Sequence, residues 1–369
     1  MLPGLYVHVP FCRSKCPYCG FYSIASNKPV DGWLDGLKRE ILYHKNRFGR
    51  FDTLYLGGGT PSFLSTEVLE KVLACLFDHF HLTTHAEITI EANPGDINPN
   101  KANALKSLGF NRINLGVQSF NDDILKFLGR RHSAEKVENA MGNLRSAGFI
   151  NIGLDLIYGM KAQSMKAWIN TLHKALAFQP EHLSCYQLTL EKGTVFDRLS
   201  NKGNTITLSE KTAAAHFLGT SAFLENKGYS HYEVSNFARG KRFEAHHNRK
   251  YWQHVPYLGL GPSAHSFDGK KRWWNVRSIR KYGAALKNGR LPIEGSEILT
   301  KEQLHLESLA LGFRTRRGVD LESLTRVPTS KKVFLMLQQR GLLKIDKGRA
   351  VPTRRGYLLA DSLPLCFSA

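Results

Sequence analysis

Phe11-Cys12-Arg13-Ser14-Lys15-Cys16-Pro17-Tyr18-Cys19 places three thiols in one short loop, spaced C-x3-C-x2-C. The apolar run Leu5-Tyr6-Val7-His8-Val9 leads straight into it and reads as a strand. Thiolates this close can converge on one metal centre, because thiolate is a soft ligand suited to iron–sulfur clusters or zinc. On a four-iron cluster, three cysteines would leave one iron for a ligand that is not protein. The plainer alternative is a structural zinc site with His8 as fourth ligand. Such sites usually pair two short knuckles, and only one is present.

Working outward, regular β-α alternation follows the cysteine loop. Strands are expected over 5–9, 53–56, 87–91, 112–117, 152–157 and 182–188, with helices over 32–48, 66–80, 99–108, 134–147 and 165–178. This pattern predicts a parallel sheet covered by helices, as an incomplete TIM-type barrel or an open doubly wound sheet. The segment 191–204 reads as a loop and 208–227 as a helix, followed by an irregular stretch rich in His, Tyr, Trp and Gly to about residue 267. From about 297, helical periodicity leads to a helix at 331–339 and strands at 342–345 and 350–352, a small winged-helix-like module.

The chain has 369 residues, 42% of them hydrophobic, which suffices for a large core and argues against disorder. Besides the clustered thiols only Cys75, Cys185 and Cys366 occur, which points to a metal site in a reducing compartment, not a disulfide framework. No signal-like leader and no run of ~20 apolar residues is present, so a cytoplasmic location is expected. The net charge is +20, and residues 241–290 carry twelve Lys/Arg against Glu244 and Asp268, half of that excess. Nucleic acid, an anionic membrane surface, a polycarboxylate ligand or a merely solvated basic face would all account for it.

Ligands of α/β sheets gather at the carboxyl ends of the strands. Here those ends carry the cysteines, then Gly57-Gly58-Gly59-Thr60-Pro61-Ser62, Glu91-Ala92-Asn93-Pro94, Val117-Gln118-Ser119 and Asp155. Three glycines let backbone groups touch a ligand, and no Walker Gly-Lys-Ser/Thr follows them. Any one such carboxylate is ordinary capping chemistry; in register with a cysteine loop they form a set.

That set, with Gly116-Val117-Gln118-Ser119-Phe120 and Asp155-Leu156-Ile157-Tyr158-Gly159, resembles the radical S-adenosylmethionine (SAM) superfamily, and within it the coproporphyrinogen-dehydrogenase-like family. The likeness spans nearly the whole chain. It implies a partial (β/α)6 barrel with a smaller C-terminal α+β domain, and a [4Fe-4S] cluster on Cys12, Cys16 and Cys19 whose open iron is chelated by SAM. Tyr6, Gly58 and Glu91 would contact SAM, as would Tyr18, Gly59, Thr60, Gln118, Arg130 and Asp155, some of which hold a second SAM in the oxidase. One departure is recorded: where the family has Pro-Gly-Gln after Tyr-Gly-Met, this chain has Lys161-Ala162-Gln163.

The dehydrogenase sub-branch has a fourth cysteine two residues after the third, and here that position is Phe21. Downstream, His247-Asn248-Arg249-Lys250-Tyr251-Trp252 and Tyr257-Leu258-Gly259-Leu260-Gly261-Pro262-Ser263-Ala264-His265-Ser266 resemble the signature of the family's heme-chaperone branch. The resemblance implies heme binding by His247, Asn248, Tyr251 and Trp252, since an imidazole can ligate heme iron and the aromatic faces suit a macrocycle. Arg249, Lys250, Lys270 and Arg272 would pair with propionates, and His246 competes as ligand. Taken alone, such residues are more often core aromatics and satisfied histidines. The implied organisation is a radical SAM core over 1–235, a heme-motif and basic connecting region over 236–296, and the C-terminal module over 297–369. The implied partners are heme or a porphyrinogen, a heme-acceptor protein such as a membrane respiratory enzyme, an anionic membrane surface for peripheral attachment, and a second copy in a homodimer. Oxygen-independent coproporphyrinogen III dehydrogenase is the enzymatic alternative. A nucleic-acid-modifying role ranks behind both, because residues 297–369 carry only thirteen Lys/Arg against seven Asp/Glu and no RNA-binding motif.

Overall fold

The six apolar runs fold as parallel strands in a computed structural model that describes residues 1–161 and 163–367. Ala162, in the departure from Pro-Gly-Gln, lies outside the described residues. The alternation runs β1 (Gly4–Val9), α1 (Val30–His44), β2 (Arg50–Gly58), α2 (Thr66–His79), β3 (His81–Ala92), α3 (Pro99–Ser107) and β4 (Arg112–Gln118). Then come α4 (Asp122–Phe127), α5 (Ala134–Ser146), β5 (Ile152–Tyr158), α6 (Met165–Ala177) and β6 (His182–Gln187). The expected boundaries fall within a few residues of these, except that β3 starts six residues early at His81.

Period-two alternation sorts the strand residues. Leu5, Val7, Val9, Leu54, Leu56, Ile90, Ile113, Leu115, Leu154 and Leu156 are fully buried in a core with Trp33, Leu37 and Leu69 of the helices. The intervening residues face the other way. Register places Tyr6 beside Tyr55, Glu91 beside Asn114, Gly116 beside Asp155 and Asp155 beside Ser184. The inner face of the sheet is therefore polar and aromatic while its outer face is apolar.

The segment 191–204, expected as a loop, contains α7 (Val195–Asn201), capped by the Thr194 hydroxyl. After α8 (Glu210–Asn226), the stretch expected to be irregular supplies regular structure: β7 (Ser230–Glu233), β8 (Asn236–Ala238), α9 (His246–Trp252), β9 (Tyr257–Leu260) and β10 (His265–Phe267). It continues through β11 (Lys271–Asn275), α10 (Ile279–Lys287) and β12 (Ile293–Ile298). Residues 236–296, expected as a connecting region, thus add strands to the barrel sheet, whose order is β12-β11-β10-β9-β1-β2-β3-β4-β5-β6-β8-β7. Because β9 pairs with β1 in parallel, it is a seventh parallel strand.

The C-terminal part comprises α11 (Lys301–Gly312), β13 (Val319–Asp320), α12 (Leu321–Thr325), α13 (Pro328–Gln339), β14 (Leu343–Asp346), β15 (Arg349–Pro352) and α14 (Arg354–Tyr357). Its antiparallel sheet β13-β15-β14 covers a core of Leu309, Phe313, Phe334, Leu337 and Leu343, the expected winged-helix-like arrangement. A bridge between Glu233 and Thr315 joins it to the edge of the barrel sheet. Among the described residues no helix is long and apolar enough to cross a membrane.

Candidate functional site

The strand ends converge on the cysteine loop. Cys12, Cys16 and Cys19 are free thiols of intermediate exposure and line an opening of about 130 Å3 with Tyr18, Thr60 and Arg130. Among the described residues no three His, Cys, Asp or Glu side chains are grouped to hold a single metal ion. The donors are nevertheless those a cluster requires. Thr60 Oγ1 donates to Cys12 Sγ at 3.4 Å and Arg130 to Cys16 Sγ at 3.6 Å, so two of the sulfurs already meet donors suited to thiolate. Burial raises the Cys19 thiol, and the charges of Cys16 and Cys12 push it further, an imbalance that bound cationic iron would relieve. Arg130 is itself aimed by the Gly116 carbonyl, which accepts from it at 2.8 Å.

His8, the alternative fourth ligand for zinc, has both ring nitrogens engaged. Nε2 lies 2.8 Å from the Tyr22 carbonyl, so it carries the proton, and Nδ1 accepts from the Tyr6 hydroxyl at 3.0 Å. Burial lowers this histidine to about 4 and keeps it neutral.

Two of the three glycines are explained by packing against β1 and the residues that follow it. A Cβ on Gly59 would meet the Phe11 and Val9 carbonyl oxygens at 2.7 and 2.8 Å. Gly58 has φ of +108°, and a Cβ there would lie 2.5 Å from the His8 ring. The glycines press the end of β2 against the strand that carries the cysteines. Inside, Glu91 accepts from the Tyr55 hydroxyl at 2.8 Å and from the Gly58 amide at 3.0 Å. Burial, then those two bonds set against the Asp155 charge, leaves its carboxyl at about 7. Asp155, raised by burial to about 6, is held by both contacts from Asn114 Nδ2, at 3.0 and 2.9 Å. Gln118 adopts φ of +67°, and its side-chain nitrogen and the Arg130 guanidinium both crowd over Gly116. Gln163, after the altered turn, accepts from the Gly159 amide at 2.9 Å. Tyr55 was missed from the sequence; its only signal was a polar hydroxyl among the apolar residues of β2.

The residues 247–252 expected to bind heme lie on α9, which is fastened to the sheet. Glu87 accepts from the His246 and His247 amides at 3.2 and 3.0 Å. Lys250 is fully buried, donates to the Leu2 carbonyl at 2.6 Å and pairs with Asp52. The signature side chains point in different directions. His247 is 1% exposed and points between Tyr6 and Tyr55, stacked at 5.2 Å on the latter. Its Nδ1 lies 2.8 Å from the Thr53 hydroxyl and its Nε2 2.8 Å from the Tyr251 hydroxyl. Burial, with the Lys250 charge second, lowers it to about 3. Neither nitrogen is open to iron in this arrangement. Tyr251 turns its ring edge to Tyr257, whereas Trp252 lies under the Arg314 guanidinium of the C-terminal part, 5.2 Å from its ring centre. Asn248 is half-buried.

Three of the four cations expected to pair with propionates are already paired: Arg249 with Glu244, Lys250 with Asp52, and Arg272 with Glu297 and Glu307. Lys270 is exposed.

Comparisons with known proteins agree with this architecture. The model described as Radical SAM superfamily matches residues 6–175, and the HemN C-terminal domain matches 299–359. "Heme chaperone HemW" of Synechocystis is 35% identical over 91% of this chain and 84% of its own length. "Heme chaperone HemW" of Bacillus subtilis is 33% identical over 98% of both chains. The solved structure of coproporphyrinogen III oxidase (HemN) from Escherichia coli superposes with a TM-score of 0.85 at 24% identity, covering 100% of this chain and 90% of that one. The chain therefore belongs to the coproporphyrinogen-dehydrogenase-like (HemN) family of radical SAM proteins, in its HemW branch.

Proposed function

We propose that this protein binds heme and hands it to an acceptor protein, while keeping a [4Fe-4S] cluster on Cys12, Cys16 and Cys19 with SAM on the open iron. What carries this reading is the match, over nearly the whole chain, to relatives named heme chaperones. Phe21 adds to it: the position of the dehydrogenase's fourth cysteine holds an aromatic side chain, 67% exposed.

The cluster with its SAM supplies one-electron chemistry when bound. The chain's own residues bind and orient. Cys12, Cys16 and Cys19 would hold iron, with Thr60 donating to the Cys12 sulfur and Arg130 to that of Cys16. Tyr18 and Gly59, which border the cysteine opening, would contact SAM, as would Tyr6, Gly58, Glu91, Gln118 and Asp155. Glu91 and Asp155, with carboxyls near 7 and 6, can accept from hydroxyl or ammonium donors at neutral pH. The signature on α9 would serve heme through Tyr251, His247 holding that hydroxyl from behind.

The test is anaerobic reconstitution followed by heme titration and transfer to an apo acceptor, with coproporphyrinogen III and SAM supplied in parallel. Stable heme binding and transfer without catalytic porphyrinogen turnover is the expected result. Protoporphyrinogen formed at many turnovers per chain would make the protein a dehydrogenase instead. Acceptors at an anionic membrane would suit the unpaired part of the basic 241–290 surface. Liposomes containing anionic lipid should then carry the protein upward in flotation at low salt, and recovery equal to that with neutral lipid would end the membrane proposal.

A further inference from the structure

A second cavity, of about 290 Å3, opens between the segment after Cys19 and the turn joining β9 to β10. Its wall includes Tyr6, Tyr22, Tyr251, Tyr257, His265 and Arg277, and no carboxylate lines it. Its size sits at the lower end of small-molecule sites, which run from about 300 Å3 upward, so a larger flat ligand would lie partly outside it. Just there Phe21 presents its exposed ring.

His265 is the one exposed imidazole in this wall. Its ring stacks on Trp274 at 6.0 Å with an interplanar angle of 25°, which fixes its plane. Among the described residues it has no side-chain hydrogen-bond partner, unlike His8 and His247. Burial first, then the charges of Arg272 and Arg277, lowers its pKa, so at neutral pH it presents an uncharged ring with a free lone pair. Arg277 donates to the Gly20 carbonyl at 3.1 Å and makes no ion pair with a described carboxylate. A neutral imidazole beside an unpaired guanidinium, framed by tyrosine faces, suits a flat metal-bearing ligand with carboxylate arms.

We propose that this lateral cavity is the docking site for an iron porphyrin, with His265 as axial ligand to the iron and Arg277 paired with a propionate. The proposal rests on the heme-chaperone reading and names its site. It changes the part played by the α9 signature: Tyr251 meets the ligand as part of the wall, and His247 is a positioning residue behind it.

The experiment is a hemin titration of the full chain, with and without the reconstituted cluster, followed by Soret absorbance and electron paramagnetic resonance. His265→Ala should weaken binding at least tenfold and abolish the histidine-ligated spectrum, and added imidazole should restore that spectrum. His247→Gln, which leaves the His265 imidazole in place, should keep a histidine-ligated spectrum while lowering affinity several-fold through Tyr251. Arg277→Gln should weaken hemin binding several-fold but leave the dimethyl ester of hemin unaffected. A His265→Ala chain with wild-type affinity and spectrum, alongside a His247→Gln chain that has lost both, would overturn the proposal while leaving the chaperone reading intact. A wild-type chain that takes up no hemin would remove both.

Discussion

Cys16→Ala is expected to lower the iron and acid-labile sulfide retained after anaerobic reconstitution by at least ~tenfold, with the far-UV circular dichroism unchanged. The loop supplies three thiols; Asp96, the carboxylate at the opening, is already paired with Arg13 and accepts from Ser62, and His8 is spent on Tyr6 and Tyr22. Removing Cys16 also takes from Arg130 the sulfur that its Nη1 donates to, leaving its Nη2 bond to the Gly116 carbonyl. The loop backbone should survive, because it is fixed elsewhere. Cys12 N donates to the Ile24 carbonyl, Thr60 N to the Phe11 carbonyl and Phe196 N to the Pro17 carbonyl. Iron retained at the wild-type level would mean that the three cysteines do not act as a ligand set.

Glu40→Ala should cost the apo protein about 3–5 kcal/mol of unfolding free energy at pH 5, the largest stability loss expected from one side chain here. Glu40, on α1, is 1% exposed. Its Oε1 accepts from Asn275 Nδ2 at 2.5 Å, and its Oε2 from the Gly261 amide at 2.8 Å and the Tyr282 hydroxyl at 2.7 Å. One carboxyl thus pins β11, α10 and the turn after β9 to the helix layer. Burial, only partly offset by those three bonds, raises it from 4.5 to about 7. The folded state therefore holds a proton that the unfolded state has lost between these values, and Glu40's contribution is full below pH 4.5 and fades as pH rises through 7. The gap between wild type and Glu40→Ala should narrow from pH 5 to pH 8 by up to ~3 kcal/mol, at about 1.4 kcal/mol per unit. Urea melts at the two pH values measure it, and a gap that widens would show that Glu40 stabilises as its anion.

The central strands were legible because each pairs an apolar outer face with inner residues that are polar or aromatic at fixed alternate positions, as Leu5 and Val7 flank Tyr6. The positions of the cysteines, Glu91 and Asp155 were legible because the cysteines follow β1, Glu91 lies near the end of β3 and Asp155 lies on β5. β9 was not. It has four residues, two of them Leu258 and Leu260, and Gly259 reads as loop chemistry. The glycine is there because a Cβ would lie 2.1 Å from the His265 carbonyl, a contact that only the folded sheet reveals. The surroundings of His247 were hidden for a similar reason. The resemblance implied a heme ligand there, and one of its hydrogen-bond partners, Thr53, is 194 residues away in sequence. A histidine's free lone pairs cannot be counted before its distant partners are known. His265 was quoted only as part of a glycine-rich motif, and its want of a partner emerges from the fold alone.

The buried contact of His247 with Tyr251 would join the two proposed ligand sites into one thermodynamic system. Tyr251 walls the lateral cavity, and its hydroxyl meets an imidazole that stacks on Tyr55, which in turn donates to Glu91, on the side proposed for SAM. A guest that shifts Tyr251 does work on Glu91 through two rings, and an occupant that tightens Glu91 resists that shift. Linkage makes this work mutual: whatever cofactor occupancy adds to the grip on the cargo, the cargo adds equally to the grip on the cofactor.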